Sequence, residues 1–204
     1  MKRDWFHHAL LIGLLLTFAS IPLLHALSGY EVMGKLSEDT YVNDIPMIKR
    51  VDLLIQRNRD RANAVRGLLL YHDPSYTREY YHATSEIHRL RNQLQTSPDT
   101  PGTLLDLLDK NQVWELQIEA VFRAYENGSA EDAIQLAENS TKTTQTLLED
   151  LERVKQELYD HMERDMINTR ETATTFRKTS LSLALLSSIL ILVTVVFFFR
   201  RSSR

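Results

Sequence analysis

Apolar residues fall into two uninterrupted runs near the ends of the chain and a periodic pattern between them. Ala9–Leu27 (ALLIGLLLTFASIPLLHAL) and Leu181–Phe199 (LSLALLSSILILVTVVFFF) contain no charged residue. Each is 19 residues long, and as a helix would span about 28 Å, close to the hydrocarbon thickness of a bilayer. Both are therefore expected to be transmembrane helices. The first also has the basic start of a signal peptide at Lys2 and Arg3. Its candidate cleavage region, Leu24-His25-Ala26, lacks a small residue three places before the cut, so an uncleaved anchor is expected.

Between the runs the apolar positions step by three and four. The first series is Ile48, Val51, Ile55, Asn58, Ala62, Val65 and Leu69, and the second is Tyr76, Tyr80, Ala83, Ile87, Leu90 and Leu94. The third is Leu104, Leu107, Asn111, Trp114, Ile118, Val121 and Tyr125, and the fourth Ala137, Ser140, Thr144, Leu147, Leu151, Val154 and Leu158. This rhythm is the seam of packed helices, and the alternation of a half-buried strand is missing. Asp73-Pro74, the stretch Thr96–Gly102 and Asn127-Gly128 punctuate the series, with Ser129 and Asp132 placed as a capping box for the last helix. Connections this short favour antiparallel neighbours. The expected fold is all-α: an antiparallel up-down-up-down four-helix bundle, a two-helix membrane-proximal stalk and two transmembrane helices.

The stalk follows from helix lengths. The outer helices, near Tyr30–Tyr71 and Ala130–Lys178, would reach about 63 and 73 Å, and the inner two, near Ser75–Gln95 and Thr103–Asn127, only about 31 and 38 Å. The inner pair would end opposite Arg50 and Lys155, with Pro46 placed to kink the first helix there. Met33, Leu36, Val42, Met162, Met166, Ala173 and Phe176 are too few for an independent two-helix core. A second chain is expected to complete it as a parallel homodimer, with Ser182, Ala184, Ser187 and Ser188 allowing close approach in the spans.

Charge adds a topology. Lys2, Arg3, Arg200, Arg201 and Arg204 flank the runs, which places both termini in the cytoplasm. The expected layout is a cytoplasmic N-terminus (1–8), a first span (9–27), an extracytoplasmic bundle (28–180), a second span (181–199) and a cytoplasmic C-terminus (200–204). Trp5, Phe6, His7 and His8 read as interfacial anchors. Of the 24 basic and 27 acidic residues, all but five basic ones and Asp4 lie in Ser28–Lys178. That segment is net acidic, which argues against nucleic acid as a partner.

Candidate chemistry is sparse. There is no cysteine and no Gly-rich phosphate loop. Glu79-Tyr80-Tyr81-His82 has the E-x-x-H spacing of a di-iron bundle, but a second such pair is missing; Glu157 and His161 stand one turn apart. No enzyme, metal or cofactor is expected. His161 reads either as a pH-sensitive group or as an ordinary exposed histidine. Asn58, Asn111 and Thr144 should share one level of the bundle, where they either fix register or line a polar pocket. Arg66 stands at the seam's edge, suited to a salt bridge or to an anionic ligand. Arg57, Arg59 and Arg61 wind around more than one face and read as a solvated surface.

The stretch Arg66-Gly67-Leu68-Leu69-Leu70-Tyr71-His72-Asp73-Pro74-Ser75-Tyr76-Thr77-Arg78-Glu79-Tyr80 resembles the helix-turn-helix of the CHASE-type all-helical sensor family. In that family a glycine usually stands where this chain has His72. The stretch is also similar to the Asp-Pro break in the four-helix-bundle input domain of methyl-accepting chemotaxis proteins. Either resemblance implies the input module of a bacterial transmembrane receptor in the cytoplasmic (inner) membrane. It would detect a small-molecule or protein ligand and relay a helix shift. The output domain or cytoplasmic signalling partner of such receptors has no counterpart among these residues. The alternative is a non-sensing, membrane-anchored structural or adaptor subunit of an envelope complex.

Overall fold

The structure, a computed structural model, describes residues 2–202, with side chains for 12–200 except 36, 37, 39 and 199. It is all-helical, and no strand occurs among the described residues. In chain order the helices are α1 (Lys2–Asp39), α2 (Ile45–Tyr71), α3 (Ser75–Thr96), α4 (Gly102–Glu126) and α5 (Ala130–Ser202). A π-helical turn, Thr40–Asp44, joins α1 to α2. The expected single helix over Tyr30–Tyr71 is thus interrupted just before Pro46. Proline has no N–H to offer the carbonyl one turn back, and a wider turn accommodates the gap.

The turns follow their chemistry. His72 ends α2 in the left-handed conformation with φ 54°, where its N–H reaches the Leu68 carbonyl. Its Nδ1 lies 3.1 Å from the Tyr125 hydroxyl, a contact that glycine could not make. The Asp73 carboxylate accepts the Ser75 N–H at 2.8 Å, which holds its pKa below the ordinary 3.8. Gly128, at φ 81°, follows the end of α4.

The chain divides into two compact units, residues 41–163 and residues 1–40 with 164–204. In the first, α2, α3, α4 and the early part of α5 pack around two buried apolar clusters. Met47, Val51, Leu54, Ile87, Leu94, Leu104, Leu108, Leu151 and Val154 form one cluster. Val65, Leu68, Tyr80, Trp114, Ile118, Phe122 and Ala133 form the other. Pairs across the helices run in opposed register: Asp52 with Lys155 and Arg59 with Glu152, then His88 with Glu115 and Arg91 with Gln112. The expected seam positions of α3, α4 and α5 are largely those buried.

In the second unit α1 packs on the later part of α5. Gly29 is buried, and a Cβ there would come within 2.7 Å of the Phe176 ring. His25 stacks on Phe176 at 5.1 Å between ring centroids, and its Nε2 lies 2.9 Å from Thr179 Oγ1. Two stretches of this unit are long and apolar enough to cross a membrane, and the protein covers little of either. Leu16, Leu23, Leu24, Leu185, Ile189 and Leu192 are all exposed.

Candidate functional site

The interior of residues 41–163 contains a charged group. Arg61 is 0% exposed. Its Nη1 donates to Asn111 Oδ1 at 3.1 Å and its Nη2 to the Tyr80 hydroxyl at 3.3 Å. The same Nη2 lies 3.5 Å from Glu115 Oε2. The guanidinium sits over the Trp114 ring, 4.5 Å from its centroid, and 5.3 Å from that of Tyr80. The cation is therefore held by one carboxylate, two neutral acceptors and two aromatic faces, which together offset its lost hydration.

Each partner is delivered by helical spacing. Asn111, Trp114 and Glu115 are three and four residues apart on α4, so all three look at one patch of α2. Tyr80 comes from α3, tilted on Phe122 at 4.6 Å between centroids. Burial raises the Tyr80 phenol above its ordinary pKa of 10.0, and the Arg61 cation works against that shift. Glu115 reaches outward as well, since both its oxygens accept from His88 Nε2, at 3.0 and 3.1 Å. The Asn58 Oδ1, Arg61 Nε, Asn111 Nδ2 and Trp114 Nε1 atoms are buried without a protein hydrogen-bond partner. Such atoms are costly, and they concentrate within about a turn of Arg61 along α2 and α4.

The residues expected from sequence fall into two places. Asn111 is bound to Arg61 in the interior. Asn58 is buried too, but its amide donates to the Leu54 carbonyl of its own helix at 2.8 Å. Thr144 is buried and donates to Ser140 O at 2.9 Å. Arg66 is exposed, 3.4 Å from Asn63 Oδ1. Thr144 and Arg66 line one open groove of about 580 Å³ between α2 and α5, together with Arg59, Gln145, Glu149 and Glu152. Glu79, His82, Glu157 and His161 are all exposed. Lys2, Arg3, Trp5, Phe6, His7, His8, Leu36, Phe199, Arg201 and Arg204 lie outside the described side chains.

One expectation is overturned. Arg61 is not part of a solvated arginine surface: Arg57 and Arg59 pair with Asp60 and Glu152 at the exterior, while Arg61 is enclosed. The seam of α2 runs Val51, Leu54, Asn58, Arg61, Val65, Leu68, stepping by three after Asn58 rather than by four to Ala62. Both steps fit a 3.6-residue turn, and the charge of arginine argued for the wrong one. The available signal was on α4, where Glu115 follows Trp114 at the seam's edge and supplies the countercharge.

Compared with known proteins, the chain matches no family model, no curated protein and no solved structure.

Proposed function

We propose that this chain is the input part of a transmembrane signal-transduction receptor. Residues 41–163 form an up-down-up-down four-helix bundle on the outer side of a bacterial cytoplasmic membrane, joined by a two-helix stalk to two spans. The bundle detects a small molecule or a partner protein. A small shift or rotation of α5 against α2 passes through the second span to a cytoplasmic partner or output domain, and two copies act as a homodimer.

The observation that carries this reading is the continuity of α5. One helix, Ala130–Ser202, includes both the core residues Leu147, Leu151 and Val154 and the apolar run Leu181–Phe199. A helix resists compression and twisting along its axis, so a displacement at one end has no loop in which to dissipate. The resemblance of Arg66–Tyr80 to bacterial sensor modules supports it independently. A ligand drives such a shift only through unequal affinity for the two arrangements.

The test joins a kinase output module in helical phase after Arg204 and inserts one, two, three or four alanines after Glu171. Each insertion turns the rest of α5 by about 100°. Kinase output should rise and fall with the helical period. Flat output across the series would refute the relay and favour a passive tether in an envelope complex.

A further inference from the structure

The seam between α1 and the later part of α5 is hollow. Ala19, Ala26 and Gly29 on one helix and Ala173, Ser180 and Ala184 on the other surround an open cavity of about 750 Å³. That size is in the range of small-molecule sites. Its remaining walls are mostly apolar, with Pro22, Leu23 and Leu181 among them. Arg177 and Tyr30 stand towards one end.

The position of that cation is informative. Arg177 is exposed and forms no ion pair or side-chain hydrogen bond among the described residues. The nearest acid in the α1 sequence, Glu31, is held by Lys35 at 3.0 Å. No Asp or Glu occurs in residues 9–30 or 178–200. An apposed span from a second copy would therefore bring apolar side chains but no countercharge. From Gly29 to Ala19 the α1 wall rises about 15 Å, which is half the hydrocarbon thickness of a bilayer. From the level of Gly29 to Ala19 the cavity is thus about one leaflet deep and mostly apolar, with Arg177 towards one end.

We propose that this groove holds an acyl chain of an anionic phospholipid whose headgroup phosphate pairs with Arg177. Basic residues beside paired membrane helices recognise acidic headgroups in this way. The small residues leave room for the chain, and the unpaired guanidinium selects the charge. The proposal rests on the apolar segments lying in a bilayer and is independent of the sensory role.

The experiment uses the full chain in phosphatidylcholine vesicles containing a trace of phosphatidylglycerol with a photoreactive acyl chain. Label should map to residues 19–30 and 173–184. Arg177→Gln should lower labelling about fivefold, the contribution of one basic residue at a lipid surface. Ala26→Leu, which fills the groove and keeps the charge, should lower it as well. Unchanged labelling of both variants, or equal labelling by photoreactive phosphatidylcholine, overturns the proposal. So does cross-linking between Ala184→Cys copies that excludes the label, since a second copy would then fill the groove. Flotation of the vesicles reports bilayer insertion separately. Protein that fails to float refutes the bilayer placement and the lipid site with it, whereas floating protein without headgroup selectivity refutes the site alone.

Discussion

Removing a guanidinium from water costs several kcal/mol, and at Arg61 that cost is offset by a set of partners none of which is sufficient alone. Truncating one member of a buried ion pair typically costs about 3–5 kcal/mol because the other charge is left behind. Arg61→Ala should fall near the lower end, about 3 kcal/mol, since Glu115 keeps His88 and is 13% exposed. Arg61→Met with Glu115→Gln should recover most of the loss. Denaturant unfolding of the detergent-solubilised protein, followed by Trp114 fluorescence in a Trp5→Phe background, measures both. Tyr80 gives a pH signature. Its folded pKa lies above 10.0, so above that pH the unfolded chain releases a proton that the folded chain retains. Stability should be intact below pH 10.0 and fall as pH rises from there towards the folded pKa. Tyr80→Phe should flatten that alkaline slope while costing about 1 kcal/mol at neutral pH through the lost hydrogen bond.

Between elements, the informative contact is Gly67 against Tyr76. A Cβ on Gly67 would lie 2.5 Å from the Tyr76 ring, so α2 and α3 reach their observed spacing only because that position has no side chain. Arg-Gly followed by an aromatic across the turn thus has a steric reason independent of any resemblance. Alanine gains about 1 kcal/mol of helix propensity over glycine. Overpacking costs about 1–3 kcal/mol, so Gly67→Ala should be destabilising overall. Adding Tyr76→Ala should relieve the clash, making the double variant more stable than the sum of the single effects predicts. A double-mutant cycle from thermal unfolding checks this. The π-helical turn before Pro46 belongs to the same scale. Sequence located the disturbance within a few residues, but its form depends on how the backbone redistributes a missing donor.

For the whole molecule, two largely exposed stretches are long and apolar enough to cross a membrane. A chain without cysteine makes the expected topology simple to test. Tyr71→Cys, at an exposed residue, should react with a membrane-impermeant maleimide in intact spheroplasts. Arg200→Cys should react only after permeabilisation. The opposite pattern would invert the topology, and equal reaction of both would contradict insertion.

Helical class, the three breaks and most buried positions of α3, α4 and α5 were legible without coordinates. Each depends on local spacing or on the backbone freedom of one or two residues. The apolar end segments were legible too, because an unbroken run of uncharged residues has few other uses. The phase of α2 at Asn58 was not. Steps of three and four are equally helical, and only packing by Trp114 and Tyr80 with the countercharge of Glu115 makes an arginine tolerable inside. That Arg66 and Thr144 line one open groove was equally hidden, because sequence gives the height of a residue along a helix more readily than its direction. Local periodicity determined what forms a helix and where it ends. Tertiary structure decided which side of α2 faces inward at Arg61, because burying a charge depends on partners far away in the chain.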